Sequence, residues 1–562
     1  MITFGPMSSL AGITLRATAL ALVVAGSAVA QSASTPLSHL DDAAPIPTGA
    51  LRFRIATTWT RYDERFAAGG GTTPLGAELS VDSLGIAQLP LLSGVQSAVQ
   101  ALATDPTLRV SFGAVRVGSN ARIATTPISL EYGLTRRLSV GVLIPIVQTR
   151  RVAEATVTGD AAHANMGFLA LAVRGDAARQ NLAVATAYQR AADSLATLVA
   201  QCPTRPAAAG CAAVNANPAD AAAARLLALR FAQAATVLGT TASTAVVAPR
   251  ATSDLATRID ARRVQLNQQL QQYLGAGAGA TTSVFTAPYD FSYRDLQGDR
   301  ATGTLGLLGG PLGGGLDSIH TTERIGFGDI AIGARFLVFD RFQYGGTPPP
   351  RIQSRLIVGG ALRFATSLAD SAQSLVDIAT GDGAGVDVSS AWDLIVGRVG
   401  GTVGVRYGKS FGRTVRASLV GDPEAPFPFP SFGQRKRTAG DVFGLDVTPR
   451  YLITETLALD AHYGLERVGA TTYDSPDAVQ PPCANCVGAD VGSFTSGASR
   501  TAQRLGWGFR YSTVDAYARG RAPYPVQLAF VRLSTISGDA GLPNLTRDQI
   551  EVRLFYQLLR RR

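Results

Sequence analysis

The sequence is poor in charge, in methionine and in long apolar runs, and each shortage excludes a class of protein. Only 16% of its 562 residues are charged and only three are Met, which is unusual for a cytoplasmic enzyme of this length. No segment beyond the N-terminus reaches the roughly 18 uninterrupted apolar residues that a membrane-spanning helix needs. Short alternating apolar runs are punctuated by the 60 glycines, a pattern that is typical of β structure.

The first thirty residues have the layout of a secretory signal. Arg16 precedes an apolar run from Ala19 to Gly26, and Ala28-Val29-Ala30 forms a small-x-small cleavage site. We therefore expect residues 1–30 to be a signal peptide and residues 31–50 a polar tail of an exported protein without a helical anchor. Because an exported chain rarely meets nucleic acid, we assign its formal net charge of +10 to the lumen and the membrane surface.

The four cysteines form two local pairs, Cys202 with Cys211 and Cys483 with Cys486. In an oxidising compartment this spacing favours short-loop disulfides. A four-cysteine zinc site would require the two pairs to meet in space, so no metal site is expected.

Histidine is equally scarce, with four in the chain. Only His462 shares a predicted inward row with a carboxylate, Asp460. A histidine within a lumen hydrogen-bond network is favoured over a catalytic base, which would also need a nucleophile and an oxyanion donor. We therefore expect neither an enzyme nor a cofactor.

Alternation between Arg324 and Asp340 predicts a strand that crosses a membrane. One row is Ile330, Ile332, Ala334, Phe336 and Val338, and the other is Asp329, Ala331, Gly333 and Arg335. A period of two with charges on one face suits the wall of a water-filled barrel. Similar strands start near residues 51, 121, 137, 326, 352, 386, 401, 440, 456, 502, 525 and 548. They predict an all-β transmembrane antiparallel barrel of about twelve strands, or fourteen if 108–118 forms a separate strand.

Two regions break the barrel pattern. Residues 153–322 are rich in Ala, Gln and Arg at helical spacing and end in a Gly-rich run, which predicts an α-helical insertion with a linker. Residues 74–102 also carry helical spacing, which predicts a helical loop or a plug in the lumen. The expected domains are barrel strands 1–3 over 51–152, the insertion over 153–322, and barrel strands 4–12 over 323–562.

Charged residues concentrate on the rows that we predict to face the lumen. They could set pore selectivity, or they could pair with one another and fill a narrow barrel. Pairing is favoured because positively and negatively charged residues are mixed on these rows. The lumen-lining candidates are Arg52, Arg54, Glu131, Asp329, Arg335, Arg355, Arg363, Asp393, Arg406, Asp446, Arg450, Asp460, His462, Arg510, Glu551 and Arg553.

Two further features have a functional and a structural interpretation. Phe427, Phe429 and Phe432 could meet an apolar ligand at the outer mouth, or pack beneath loops. Asp329 and its flanking glycines could open a lateral exit for an apolar solute, although ordinary barrel curvature explains the same glycines.

Three stretches resemble the outer-membrane channel family of the meta-pathway phenol degradation type, which is akin to long-chain fatty-acid transporter barrels. They are PISLEYGLTRRLSVGVLIPIV, GFGDIAIGARFLVFD and RLIVGGALRFATSLADS. In that family a Tyr-Gly-Leu-Thr turn before an apolar strand and a Gly-x-Gly-Asp strand recur in this order. The resemblance implies a barrel that admits small hydrophobic or aromatic compounds through the outer membrane. The chain departs from the family in its insertion and in ending on Leu-Leu-Arg-Arg-Arg instead of an aromatic residue.

These predictions combine into a transporter or channel for small hydrophobic or aromatic solutes in the cell outer membrane of a Gram-negative-type bacterium. The alternative is a structural or adhesion-type protein whose barrel displays an extracellular helical domain. Expected partners are outer-membrane lipid, lipopolysaccharide, the barrel-assembly machinery and a small hydrophobic ligand, with no nucleic acid.

Overall fold

Twelve antiparallel wall strands form one closed barrel. The structure is a computed structural model that describes residues 43–160, 163–299, 304–342, 352–474 and 492–557. The first six wall strands are β1 (Ala50–Phe66), β2 (Ala114–Gly133), β3 (Leu138–Thr158), β4 (Thr322–Phe327 and Ile330–Asp340), β5 (Ile352–Phe364) and β6 (Gly385–Val396). The other six are β7 (Val399–Ser410), β8 (Val442–Leu452), β9 (Leu457–Val468), β10 (Arg500–Ser512), β11 (Val526–Gly538) and β12 (Pro543–Gln557).

The ring closes at two places where strands distant in sequence meet. β1 pairs with β12 on one side and with β2 on the other. The second half of β4 pairs with both β3 and β5. The predicted count of twelve is confirmed, because residues 114–118 belong to β2 and no separate strand is needed there.

The connections sort by length between the two ends of the barrel. Short turns join the wall strands at one end, where the first and last wall strands also begin and end; we call this the short-turn end. The opposite end, which we call the capped end, carries all the long connections and one short turn, residues 539–542 between β11 and β12. Within the described ranges, no helix combines the length and the apolarity needed to cross a membrane.

The outer face of the wall is apolar although it is exposed. Ile332 is 54% exposed, Leu362 56% and Trp507 52%, each on an outward row. A soluble protein rarely exposes such a continuous apolar surface, whereas a barrel in lipid requires it. β1, β2 and β3, with 17, 20 and 21 residues, exceed the roughly 9–11 residues that span a membrane, so they rise beyond the wall.

Helices cover the capped end. They are α1 (Ser93–Ala103), α2 (Leu171–Gln201), α3 (Cys211–Ala216), α4 (Pro218–Val237), α5 (Asp254–Leu274) and α6 (Tyr293–Gln297), with short 3₁₀ turns at Leu75–Leu79 and Pro90–Leu92. One hydrophobic core joins α1, α2, α4 and α5 to Val115, Ala153 and Leu375 of the barrel side. We call this unit the cap. β3 continues to Thr158, beyond the boundary expected at 153, because its alternation with β2 persists above the membrane zone.

Small strands complete the fold. Thr72–Pro74 extends the edge of β1, Met166–Phe168 pairs with Val247–Pro249, and Gly298–Asp299 pairs with Thr304–Leu305. A four-stranded sheet at the capped end contains Arg413–Ser418, Phe432–Thr438, Thr471–Tyr473 and Phe494–Ser496. At the short-turn end, helix α7 (Val514–Ala518) lies between β10 and β11.

A disulfide joins the end of α2 to the start of α3. Cys202 and Cys211 are bonded across a separation of nine residues, and both are buried in the cap core. Cys483 and Cys486 lie outside the described residues, as do the expected signal peptide and most of the expected polar tail.

Replacing Cys202 and Cys211 by serine is expected to cost the cap about 2–3 kcal/mol, because the open chain gains conformational entropy when it unfolds. Denaturant unfolding followed by helical circular dichroism measures this loss, since nearly all helix belongs to the cap. Reduction of the wild-type protein should give the same loss. An unchanged unfolding midpoint in the double variant would contradict the prediction.

Candidate functional site: a charged lumen closed at both ends

The lumen-lining candidates lie on the less exposed rows of the wall strands, apart from Asp329, which lies in the break of β4. Strand pairing places them there, because residues directly opposite one another in neighbouring strands share a face. Arg52, Asp393, Asp460, Glu551 and Arg553 are each at most 2% exposed. The interior therefore holds charge where a soluble barrel of similar size would hold an apolar core.

Two carboxylates near the short-turn end hold arginines from neighbouring strands. Glu131 lies 2.7 Å from an Arg52 nitrogen and 3.7 Å from an Arg335 nitrogen. Glu551 lies 3.0 Å from Arg54 and also forms an ion pair with Arg553. These contacts link β1 to β2, β4 and β12, so the charges pair across the wall instead of standing free in a wide pore.

A third carboxylate, Asp460, lies on β9. Its oxygens are 2.8 Å from Arg450 Nε and 3.5 Å from Arg510 Nε. His462, two residues along the same row, is 3.2 Å from Thr448 Oγ1 through its Nδ1. The histidine is thus part of a buried hydrogen-bond network, which is the structural role favoured by the sequence.

The chain segment that precedes β1 enters the lumen from the short-turn end. The Ala43 backbone N–H donates to Asp393 Oδ2 at 3.1 Å, and the Ala43 side chain packs against Ile357 and Ala391. Ile46 is 3% exposed. Because β5 is separated from β1 by three other strands and β6 by four, residues 43–49 must cross the lumen to make these contacts. We call this stretch the inner segment.

Arg355 is at the centre of the closure at the short-turn end. Its guanidinium lies 2.7 Å from Asp393 and 4.2 Å from the centre of the Phe342 ring. α7 lies at the same end of the barrel, with Ala516 buried and Asp515 exposed. The inner segment and Phe342 therefore meet at this mouth around Arg355 and Asp393.

The capped end is closed by residues from two loops. Leu75 packs into the mouth against Ile123, Val147 and Ile378. The region 74–102 thus contributes in both of the predicted ways, since its first turn enters the mouth while α1 packs in the cap.

Asp329 ties the loop 365–384 to the wall. The break in β4 falls at Gly328 and Asp329, where the pairing with β3 shifts by one residue. Asp329 is 1% exposed, and it accepts hydrogen bonds from the backbone N–H groups of Ser367 at 3.2 Å and Gly383 at 2.8 Å. The irregular strand and the loop that covers it are therefore fixed to each other.

A cavity of about 100 Å³ lies above the inner segment, between β1 and β6. Its wall is made largely of small and apolar residues, among them Gly141, Leu143, Ala331, Gly333 and Ala361. Charged groups border it, and these are Arg54, Glu131, Arg335 and Asp387. The lumen therefore contains one place where a compact apolar group fits beside polar groups.

Inward glycines give the charged side chains room to lie along the wall. A Cβ at Gly444 would collide with the Arg406 guanidinium, and one at Gly408 would collide with the Asp387 carboxylate. A glycine within the alternating pattern of a strand thus marks a position where the charged side chain of a neighbouring strand lies against the backbone.

Two inward arginines were missed by the sequence analysis. Arg504 lies 3.1 Å from Glu466, and Arg547 lies within hydrogen-bonding reach of Thr60. Arg547 was missed because β12 was expected to begin at 548, whereas it begins at Pro543. The spacing of Arg547, Glu551 and Arg553 by even numbers was the signal that could have revealed it.

The phenylalanine-rich loop at the capped end packs into the structure. Phe427 and Phe432 lie against the cap core, which is the structural interpretation of that motif. In the same loop Glu424 accepts hydrogen bonds from Tyr473 at 3.0 Å and Ser496 at 3.1 Å, and burial raises the pKa of its carboxyl group. Among the described residues, no group of three or more His, Cys, Asp or Glu could hold a metal ion.

Comparison with known proteins finds similarity only among solved structures. No family model and no curated protein matches the chain. The chain is similar to an outer membrane channel from Pseudomonas putida F1, with 9% identity and a TM-score of 0.37 over 92% of this chain and 100% of that one. It is also similar to a Pseudomonas aeruginosa FadL homologue, with 9% identity and a TM-score of 0.24 over 91% and 90%. The Pseudomonas putida toluene transporter TodX gives 10% identity and a TM-score of 0.20 over 91% and 89%.

Proposed function

We propose that the protein is an outer-membrane channel for small hydrophobic or aromatic solutes. The observation that carries this proposal is the closed barrel with an apolar outer face and a cavity inside its wall. A chain that buries arginine and carboxylate inside and exposes leucine and tryptophan outside is stable only when lipid surrounds it.

The volume and the lining of the cavity suit a small and largely apolar solute. Its volume of about 100 Å³ is of the same order as the engineered cavity of about 150 Å³ that binds benzene. Glycine, alanine and leucine provide the contact surface, while Arg335 and Asp387 at the border can accept one polar substituent. Large polar solutes do not fit, since ion pairs and the two closures occupy the rest of the lumen.

The packing of the cap favours a role in the channel over the display of a separate extracellular domain. Its core is continuous with Val115 and Ala153 of the rising strands and with Leu375 of the loop 365–384. A domain displayed for adhesion would be connected by few contacts, whereas this one packs over the mouth of the barrel. On this proposal the capped end faces outward and meets lipopolysaccharide, and the barrel-assembly machinery inserts the chain.

The test is the entry of toluene into liposomes that contain the purified protein in a membrane with lipopolysaccharide, which slows the direct passage of apolar solutes. We expect faster entry than into protein-free liposomes, and we expect Ala361→Phe to abolish the gain because the larger side chain fills the cavity. Leu362→Phe is the matched control, because residue 362 is the next one along β5 and points outward. Toluene entry that is no faster with the wild-type protein would refute the proposal.

A further inference from the structure

The outer face of the wall carries three exposed arginines side by side on neighbouring strands. Arg61 of β1 lies directly opposite Arg122 of β2, and Arg122 lies directly opposite Arg150 of β3. The residue before each of them is buried, so all three side chains point outward. We call Arg61, Arg122 and Arg150 the arginine row.

The arginine row lies at the edge of the apolar band, on the side of the capped end. The outward residues of β1 from Leu51 to Trp59, and those opposite them on β2 and β3, carry no charge. From Leu51 to Arg61 the strand rises about 25 Å along the barrel axis, at about 3.3 Å per residue and a tilt of about 40°. This is the height of the apolar band in membrane barrels, and Trp59 lies where such barrels place aromatic residues. The arginine row is therefore at the level of the lipid head groups.

The side chains of the arginine row form no ion pair or hydrogen bond with any residue that the structure describes. Glu323 of β4 lies directly opposite Arg150, but its carboxylate accepts a hydrogen bond from Gln148 Nε2 at 2.8 Å. The exposed Asp63 lies in the bulge after Arg61 and forms no ion pair with it. Like charges directly opposite one another in a sheet repel. The fold therefore holds three guanidinium groups together without a carboxylate partner in the described part of the chain.

We propose that the arginine row binds the phosphate groups of lipid A, the lipid anchor of lipopolysaccharide. Guanidinium groups match pairs of phosphate oxygens, and each contact is a charge-assisted hydrogen bond. Neighbouring strands lie about 4.8 Å apart, so two adjacent arginines can hold one phosphate between them. Lipid A carries its phosphates next to its acyl chains, which then cover the apolar band below the row. The inference rests on the proposed function, because the row faces lipopolysaccharide only when the capped end points outward.

Titration of the full-length protein in detergent micelles with lipid A, followed by native mass spectrometry, tests the proposal. We expect lipid A to bind the wild-type protein. Replacing all three arginines of the row by glutamine should weaken binding on the order of a hundredfold, since each arginine near a lipid surface contributes roughly fivefold. Removing the phosphates from lipid A should weaken its binding to the wild type by a similar factor. The same removal should have little further effect on the triple variant, because the contact is already lost.

The matched control is a triple variant that loses the same charge elsewhere. Arg190→Gln, Arg225→Gln and Arg230→Gln change exposed arginines of α2 and α4, and this protein should bind lipid A as the wild type does. Arg122→Gln alone removes the middle arginine and is the second test variant in case the triple variant does not fold. It should weaken binding roughly fivefold.

Equal binding of lipid A by the wild type and the row variants would overturn the proposal. Phosphate-free lipid A or phosphatidylglycerol that binds the wild type as tightly as lipid A would also overturn it. The toluene test has a separate readout. Binding of lipid A through the row without faster toluene entry would remove only the channel proposal, whereas faster toluene entry with unchanged lipid A binding by the row variants would remove only this inference.

Discussion

Removal of residues 43–47 is expected to expose the lumen from the short-turn end. Ser389 provides the reporter, because it lines the cavity and lies two residues along β6 from Ala391, which contacts the inner segment. In the wild type, a thiol reagent reaches a cysteine at 389 only after the inner segment moves. Burial of Ile46 alone makes that movement cost about 1.5–3 kcal/mol. Deletion should therefore accelerate labelling on the order of ten- to a hundredfold.

The measurement compares labelling of Ser389→Cys with and without the deletion, in a background where Cys483 and Cys486 are serine. Ser499→Cys is the control, since this exposed residue at the capped end should react equally fast in both proteins. Equal rates at position 389 would mean that the inner segment does not close the lumen. A faster rate restricted to position 389 would identify it as the closure.

The barrel could be predicted from the sequence because its wall obeys a local rule. Alternation with a period of two is set within each strand by lipid on one side and the lumen on the other. Arg324–Asp340 contains this pattern without any long-range information, and the structure pairs its second half with β3 and β5. The even count also follows, because the first wall strand begins and the last one ends at the same end of the barrel.

The partners of the inward charges could not be predicted in the same way. Glu466 meets Arg504 of the next strand but also Arg406, which lies two strands away, and their contact depends on the small residue at Gly444. Such contacts depend on barrel diameter and stagger, which alternation does not specify. The sequence therefore predicts that charges face the lumen, but not which groups they form.

The closures at the two ends of the lumen could not be predicted from the sequence for a different reason. Residues 43–49 read as the end of a polar tail, and only the position of Asp393 across the lumen gives the Ala43 backbone its acceptor. Similarly, the sequence around Leu75 shows no alternation that would predict its position at the mouth of the capped end. Both are tertiary contacts of irregular chain, for which neither a period of two nor helical spacing exists.

Replacement of Asp460 by alanine is expected to destabilise the barrel by about 3–5 kcal/mol, the usual cost of removing one partner from a buried ion pair. Asp460 is 1% exposed and neutralises both Arg450 and Arg510, whose side chains are only 11% and 6% exposed. Without the carboxylate, two guanidinium groups remain in a region that water barely reaches. Urea unfolding in detergent micelles measures the change.

Two further variants separate this cause from a general effect of losing a carboxylate. Asp82→Ala breaks the pair with Arg116, whose side chains are 89% and 56% exposed, and should leave stability nearly unchanged because water already screens both charges. Adding Arg450→Leu to Asp460→Ala should recover part of the loss, since it removes a guanidinium group whose carboxylate at 460 is gone. If Asp460→Ala were as stable as wild type, the inward charges would have to be solvated, and the lumen would be a wet pore instead of a network of paired side chains.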